Sequence, residues 1–501
     1  MKKKPFLLLW SMLLSVIFIG LTSKSSPLYP MNDWVDVNCF FTMGRSILEG
    51  MVPYRDLYEQ KGPLLYFVFA FLSLFSKDSY FGVFLLEVLT YGLFLYFSGK
   101  LMQLYLGKSR TVYATLPILG ALVAVSWSFT HGGSVEQHSL FMLVYGMYSL
   151  LRAMKEDRPL SFCEAFLNGI FAGMLLWIKY TMLGFYLGLA LFVLIYYLTS
   201  RQPITKLFVT IGQFLGGIGA VSLVVLIYFA INGALKDLFT VYFYNNIFLY
   251  SEKVDSRFGS IQDCLEITMK NNESFSWLLY GGLVWLCLKR EKQWQTLLLP
   301  LLCFAGLTVG TYWGGKPWDY YGLVLAAFGV FGLLAIVSLL RASDLLTLWH
   351  RYMPKNILPT LWVCAMLLLL LLTDNMQHNQ NLYLSKYEKE DTPQYQFAEI
   401  INQKEDATLL NYGFLDGGFY FASGAKPACR YFCYFNINPP EMWKEQNACI
   451  QNGEADFIVT RQYQLEEYSL DTSKYELVKE VTDFPFDKNL KFSYYLYQKI
   501  S

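Results

Sequence analysis

Long apolar blocks alternate with short polar loops along most of the chain. A helix crosses a bilayer with roughly 17–25 mainly apolar residues. This rule predicts about eleven membrane spans, near residues 6–23, 81–104, 112–129, 138–153, 164–181, 183–199, 207–231, 276–288, 296–313, 320–340 and 357–373. Residues 1–23 fit a signal peptide or an uncleaved first helix, and no convincing small-x-small cleavage motif follows, which favours the helix. The pattern indicates a multi-pass α-helical membrane protein.

The first polar loop, residues 24–80, contains two further helical patterns. Its apolar positions first recur at helical spacing, at Val35, Cys39, Met43 and Ile47. This spacing predicts an amphipathic helix over 35–48 in the membrane interface, ended by Gly50 and Pro53. Residues 64–75 are apolar but too short for a span, so we expect a second interfacial helix that begins at Pro63.

The composition changes after about residue 374, where charges rise and apolar runs shrink. The pattern there predicts one helix and four strands, over 394–402, 408–412, 418–422, 456–460 and 492–497. The sequence therefore predicts two domains, a transmembrane domain at 1–374 and a small α/β domain at 375–501. The second domain holds three cysteines, Cys429, Cys433 and Cys449, and we expect no structural disulfide among them.

Basic residues fall in alternate loops, near 2–4, 108–110, 152–158, 201–206, 289–292 and 341–355. The positive-inside rule places these loops in the cytoplasm. The N-terminus is then cytoplasmic, and the outer face receives residues 24–80, 130–137, 232–275, 314–319 and the domain at 375–501. One miscounted span would instead place that domain in the cytoplasm.

The overall composition agrees with a membrane protein, since 54% of residues are hydrophobic and 16% charged, against about 25% charged in soluble domains. The net charge of +1 gives no indication of a nucleic-acid partner. Nine cysteines form no CxxC pair, and four histidines form no cluster. The sequence thus predicts no cofactor and indicates no metal site.

Charged residues concentrate in the first outer loop, in the stretch 33–63. Asp36 lies on the predicted first interfacial helix, where it is either a base for an acceptor hydroxyl or a charge stabilised by the helix dipole. Further along the loop, Arg55, Glu59 and Lys61 lie together in the seven residues 55–61. The Lys61 ammonium suits a phosphate on a lipid carrier, or equally an anionic headgroup or a neighbouring acid.

Further candidates lie on the same predicted outer face. Glu136 is in the turn HGGSVEQH and Lys179 is near the outer end of a span. A lysine within a membrane indicates function, although it can also extend its ammonium to the interface. Lys316 lies among aromatic residues that either stack on a sugar or form an interfacial belt. Arg257 lies in the loop 232–275, which is either a mobile flap or an ordered segment.

The order of these motifs resembles the GT-C superfamily of membrane glycosyltransferases, and is similar to the protein O-mannosyltransferases and the lipid A aminoarabinose transferases. The mannosyltransferases carry an Asp-Glu pair on the first outer helix; Asp36 matches the Asp, and Val37 replaces the Glu. Their second motif, Asp-x-His-Pro-Pro, corresponds to residues 59–63, with Glu59 in place of Asp and Lys61 in place of His.

The aminoarabinose transferases carry Glu-Lys-Pro-Pro before the second helix. Lys61 and Pro63 match this motif, and Gln60 departs from it. The stretch DVNCFFTMGRSILEGMVPYRDLYEQKGPLLYF resembles more closely a bacterial subgroup with D-x-x-x-F and K-G-P. The resemblance covers roughly residues 1–374, which it implies to be the catalytic domain.

The resemblance implies a polyprenyl-phosphate sugar donor, an outward-facing site and an inverting mechanism. We therefore expect transfer of a hexosyl or pentosyl group to a cell-envelope polysaccharide, teichoic acid, lipid or protein. The predicted catalytic residues are Asp36, Glu59 and Glu136. The predicted phosphate- and donor-binding residues are Lys61, Lys179, Lys316 and Arg257. The predicted sugar or acceptor contacts are Tyr54, Arg55, Trp313 and Tyr320.

Two other functions fit a chain with many spans. A polysaccharide polymerase or ligase usually carries its large outer loop late in the chain, whereas here the charged loop follows the first span. A transporter or lipid-linked sugar flippase predicts inverted repeats and broken midplane helices, which the sequence does not show. A non-catalytic membrane protein remains an alternative if the loop acids take no part in chemistry.

Overall fold

The structure is a computed structural model. It describes residues 6–76, 78–108, 110–199, 203–288, 294–342, 363–365, 367, 381–437, 439–485 and 490–500. Most of the predicted span at 357–373, and the basic residues near 2–4 and 289–292, lie outside the described residues.

Helices make up the first two thirds of the described chain. They are α1 (Phe6–Thr22), α2 (Val35–Leu48), α3 (Pro63–Phe75), α4 (Phe81–Leu106), α5 (Arg110–Ala124), α6 (Val135–Lys155), α7 (Phe162–Lys179), α8 (Gly184–Thr199), α9 (Ile204–Ile231), α10 (Leu235–Leu238), α11 (Arg257–Asn271), α12 (Glu273–Leu288), α13 (Gln295–Tyr312) and α14 (Gly329–Ala342). A π-helix, Phe239–Tyr250, follows α10, and a 3-10 helix, Asp319–Phe328, leads into α14.

Within the described residues, five helical stretches are long and apolar enough to cross a membrane. They are Phe81–Leu106, Phe162–Thr199, Ile204–Ile231, Gln295–Tyr312 and Asp319–Leu340. Four shorter apolar helices are α1, α3, α5 and α12. The multi-pass helical architecture is confirmed, whereas the total of about eleven spans stays a prediction.

The chain forms two compact units. The first unit comprises Met1–Ser26, Val83–Val224 and Glu252–Tyr383. Among the five long apolar stretches, Asp319–Leu340 is the most buried, with 78% of its most apolar 18 residues buried, against 17% for Ile204–Ile231. The latter helix therefore presents most of its apolar side chains outward, as a lipid-facing helix does.

Small residues bring helices close together in the first unit. A Cβ atom at Gly184 on α8 would collide with the backbone carbonyl of Gly306 on α13. Without a hydrophobic driving force between helices in lipid, such close backbone packing is a main source of their association.

The second unit comprises Pro27–Gly82, Val225–Ser251 and Leu384–Ser501. The predicted helices in the first outer loop are confirmed as α2 and α3. They cross at Gly44, where an added Cβ would lie 2.6 Å from the backbone nitrogen of Ala70. α2 is buried on almost all sides, including Val37 and Phe41, rather than along one apolar stripe.

The C-terminal part of this unit is an α/β arrangement. It contains α15 (Pro393–Ile401), α16 (Phe419–Ser423) and α17 (Pro440–Asn452). Its strands are β1 (Thr408–Asn411), β2 (Lys426–Pro427), β3 (Phe457–Arg461), β4 (Tyr475–Pro485) and β5 (Lys491–Lys499). They form one mixed sheet in the order β2-β1-β3-β5-β4. β1 pairs in parallel with β2 and β3, and β5 pairs antiparallel with β3 and β4.

Three of the four predicted strands correspond to β1, β3 and β5. The strand predicted over 418–422 is wrong, because this stretch forms the short helix α16. Two left-handed glycines, Gly418 (φ 95°) and Gly424 (φ 69°), flank it and turn the backbone away from an extended path. The Asp416 carboxylate also accepts a hydrogen bond from the Gly418 N–H at 2.9 Å, which stabilises the turn.

Candidate active site

Asp36 and Lys61 form an ion pair in the second unit. Asp36 lies in the first turn of α2, and Lys61 lies two residues before α3 begins at Pro63. The Lys61 Nζ is 3.0 Å from an Asp36 carboxylate oxygen, and their side chains are 11% and 12% exposed. The ammonium also lies 5.9 Å from the centre of the Phe40 ring. A proton acceptor and a fixed positive charge thus lie side by side in a largely buried setting.

The Glu59 carboxylate holds the backbone of Lys61. One of its oxygens accepts a hydrogen bond from the Lys61 N–H at 2.8 Å and another from the Tyr66 hydroxyl. Burial raises the pKa of Glu59, while the Lys61 ammonium and these hydrogen bonds act in the opposite direction. Glu59 is therefore placed to orient Lys61 through its backbone.

Tyr54 also binds the backbone of Lys61, at its carbonyl oxygen. Its hydroxyl donates to the Lys61 carbonyl oxygen at 2.6 Å, and its side chain is fully buried. The neighbouring Arg55 pairs with Asp56 at 2.8 Å and donates to the Asn232 carbonyl oxygen at 2.8 Å. The predicted sugar contacts of Tyr54 and Arg55 stay predictions.

The second half of α2 is also held by the C-terminal part of its unit. The Thr42 hydroxyl donates to Asp416 at 2.7 Å. Arg45 donates to the carbonyl oxygens of Tyr420 and Phe421, at 3.3 and 3.1 Å. Burial raises the pKa of Asp416 to about 6, against the opposing effect of its hydrogen bonds.

Glu136 and Lys179 form a second buried ion pair, in the first unit. Glu136 lies in the first turn of α6, and Lys179 is the last residue of α7. The Lys179 Nζ lies 3.3 Å from the centre of the Tyr321 ring and 5.5 Å from that of Tyr320. Two aromatic faces therefore share this ammonium with the carboxylate, a cation–π arrangement.

Glu87 fixes the turn that precedes Glu136. Its carboxylate, fully buried on α4, accepts hydrogen bonds from the Gly133 N–H at 2.7 Å and the Ser23 hydroxyl at 2.6 Å. The Ser134 hydroxyl then caps α6 by accepting from the Gln137 N–H at 3.2 Å. The direction of the Glu136 side chain depends on this turn.

Lys316 and Arg257 make separate contacts in the first unit. Lys316 pairs with Glu252 at 2.7 Å. The Arg257 guanidinium donates to the carbonyl oxygen of Trp313 at 2.9 Å, and the indole of Trp313 remains exposed. Across the described residues, no group of three or more His, Cys, Asp or Glu side chains is arranged to hold a metal ion.

By sequence, the chain matches no protein-family model and no curated protein. By structure, it is similar to ArnT from Cupriavidus metallidurans bound to undecaprenyl phosphate, with a TM-score of 0.59 and 14% identity over 98% of this chain and 97% of that one. The apo state of that ArnT gives 0.58 and 13%, with the same coverage. This chain has the ArnT fold. The fold expected from the resemblance in the first outer loop is thereby confirmed.

A third structure is similar to a smaller extent. It is an oligosaccharyltransferase from Archaeoglobus fulgidus in complex with Zn and sulfate, with a TM-score of 0.47 and 12% identity over 91% of this chain and 67% of that one.

Several residues that make hydrogen bonds around the two ion pairs were not predicted from the sequence. Glu87 could have been found, because an ionisable residue inside an apolar helix indicates function by default. Asp416, which binds Thr42, and Arg430, whose guanidinium donates to the Tyr54 carbonyl oxygen, carry no such signal, since each of these contacts spans more than 370 residues of the chain.

Proposed function

We propose that this protein transfers a sugar from a polyprenyl-phosphate donor to an acceptor outside the cytoplasm, with inversion. The observation that carries the proposal is the buried ion pair of Asp36 and Lys61, with 3.0 Å between the ammonium and the carboxylate, at the N-terminal ends of α2 and α3. The ArnT fold supports it, because one of the similar structures is ArnT bound to undecaprenyl phosphate.

The ion pair contains the two groups that such a transfer needs. A donor phosphate competes with the Asp36 carboxylate for the Lys61 ammonium, so donor binding releases the carboxylate. Asp36 then accepts the proton of the acceptor hydroxyl as that oxygen forms its bond to the anomeric carbon. The bond from the anomeric carbon to the phosphate oxygen breaks, and Lys61 stabilises the charge on the departing phosphate.

The remaining charged residues have supporting roles in this proposal. Glu59 orients Lys61, as its hydrogen bond to the Lys61 backbone indicates. The roles predicted for Glu136 and Lys179, which pair with each other in the first unit, stay predictions. Because lysine ammonium groups supply the positive charge, we expect transfer to persist in EDTA.

Transfer by purified protein tests the proposal. The protein is incubated with a panel of labelled polyprenyl-phosphate sugars and cell-envelope acceptor fractions. We expect Asp36→Asn to lower transfer at least about 100-fold, the usual scale for loss of a general base. Asp33→Asn removes a carboxylate three residues earlier and is the matched control. Equal transfer by wild type and Asp36→Asn would exclude Asp36 as the base.

The proposed orientation places the N-terminus in the cytoplasm and residues 375–501 outside the membrane. Single cysteines introduced at exposed positions of this region, such as Glu476, test it in a variant without the native cysteines. A membrane-impermeant maleimide should label them in intact cells. Labelling only after cell lysis would place this region in the cytoplasm.

A further inference from the structure

Tyr54 has a strained backbone. Its φ angle is 70°, in the left-handed region that bulky residues rarely adopt, and its side chain is fully buried. Such a conformation is unfavourable for a tyrosine and persists only when the surroundings hold it. Its N–H donates to the Leu57 carbonyl oxygen at 2.7 Å, which closes the turn locally.

Arg430 holds this turn from the C-terminal part of the same unit. Its guanidinium donates twice to the Tyr54 carbonyl oxygen, from Nη2 at 2.7 Å and from Nε at 3.2 Å. Its own carbonyl oxygen accepts from the Tyr58 N–H at 3.0 Å. Arg430 is in turn fixed by Glu445 on α17, whose carboxylate accepts from the Arg430 N–H at 2.8 Å.

The turn connects Arg430 to Lys61. The Tyr54 carbonyl oxygen binds Arg430, and the Tyr54 hydroxyl binds the Lys61 carbonyl oxygen at 2.6 Å. The Lys61 ammonium pairs with Asp36. Hydrogen bonds through Tyr54 thus connect the C-terminal region to the backbone of Lys61, whose side chain carries the ammonium.

We propose that Arg430 is a positioning residue, through which the C-terminal region sets Lys61 for a phosphate. The inference rests on the proposed function, because it takes Lys61 to be the group that binds the donor phosphate. Arg430 acts on Lys61 indirectly. Its effect passes through the left-handed Tyr54 turn.

Stabilisation by undecaprenyl phosphate in detergent micelles measures the effect without relying on transfer. A ligand that binds the folded state raises the unfolding midpoint according to its concentration and affinity. We expect Arg430→Met to weaken the apparent affinity about tenfold and Arg430→Lys to weaken it less, because lysine retains one donor to the Tyr54 carbonyl. Arg461→Met is the control, since Arg461 packs over Phe414 and Phe492 in the same region. That variant should retain wild-type affinity.

A double-variant cycle tests whether Arg430 acts through Tyr54. Tyr54→Phe removes the hydroxyl that binds Lys61 but keeps the carbonyl that binds Arg430. If the series of bonds is the path, Arg430→Met should weaken affinity about tenfold in wild type but less than about twofold in the Tyr54→Phe background. Equal effects in both backgrounds would overturn the inference. If Arg430→Met does not fold, the same cycle with Arg430→Lys decides by the same comparison.

Lys61→Met separates two claims, that Lys61 binds the donor phosphate and that Arg430 positions Lys61. Loss of binding in Lys61→Met with full binding in Arg430→Met would refute the positioning role and leave the proposed function intact. Full binding in Lys61→Met would refute the role of Lys61 in the proposed function. We expect loss of binding in Lys61→Met, about tenfold weaker binding in Arg430→Met, and wild-type binding in the Arg461→Met control.

Discussion

Replacement of Glu59 by alanine should destabilise the unit that holds Asp36 and Lys61. One Glu59 oxygen accepts from both the Lys61 N–H and the Tyr66 hydroxyl. The Tyr66 hydroxyl also lies 3.0 Å from the Lys61 carbonyl oxygen and can bond there instead. The Lys61 N–H is thus the group that loses its partner in Glu59→Ala.

The loss of this one hydrogen bond sets the expected change in the free energy of unfolding. A buried polar group left without its partner costs about 1–3 kcal/mol, and bonds to charged acceptors lie at the upper end. Part of the cost is offset, because burial already disfavours the charged Glu59, as its raised pKa shows. We expect a net loss of about 2 kcal/mol, which for a unit of about 200 residues corresponds to roughly 4–8 °C in the unfolding midpoint.

The assay is thermal unfolding of purified protein in detergent, with Glu59→Gln and Tyr66→Phe as matched variants. Glutamine keeps an oxygen for both donors and removes only the charge, so its midpoint should stay within about 2 °C of wild type. Tyr66→Phe removes one donor and keeps the bond to the Lys61 N–H. A wild-type midpoint for Glu59→Ala, or an equal loss for Glu59→Gln, would refute the reasoning.

Three further changes have expected outcomes. Gly44→Val should destabilise the crossing of α2 and α3, because even a Cβ would lie 2.6 Å from the Ala70 nitrogen. The expected loss is about 1–3 kcal/mol, the usual cost of overpacking. An unchanged unfolding midpoint would contradict this. In the folded protein the pKa of Asp416 is raised from 3.8 to about 6. Protonated Asp416 therefore makes its full contribution to the free energy of unfolding below about pH 4, and this contribution is lost as pH rises through 6. Asp416→Asn should therefore flatten the pH dependence of the midpoint between those values, and an unchanged slope would count against the shift. Lys179→Met should lower the free energy of unfolding by about 3–5 kcal/mol, because it leaves Glu136 buried without its partner. Adding Glu136→Leu should recover much of that loss. A double variant no more stable than Lys179→Met would disprove the pairing.

The sequence was most informative where the physical rule is local. Length and hydropathy predicted most of the helices, since a bilayer span needs only a run of apolar residues. The helical spacing from Val35 to Ile47 and the proline at 63 predicted α2 and α3. The residue pattern of the C-terminal region predicted β1, β3 and β5.

The rest depends on contacts distant in sequence. No local rule joins Arg430 to Tyr54, or Asp416 to Thr42, because their spacing exceeds 370 residues. The ion pair of Asp36 with Lys61 needed the crossing of α2 and α3, which the pattern does not specify. The helix at 419–423 was missed because its two left-handed glycines decide the backbone more strongly than its aromatic run.

Cleavage of the donor is the most direct test of the central claim. Proteoliposomes are supplied with a polyprenyl-phosphate sugar labelled separately in the sugar and in the lipid phosphate, together with acceptor fractions. A glycosyltransferase produces free lipid phosphate and glycosylated acceptor in equal amounts, and Asp36→Asn should abolish both. Movement of the intact donor across the bilayer, with its sugar–phosphate bond unbroken, would instead identify a transporter and contradict the account.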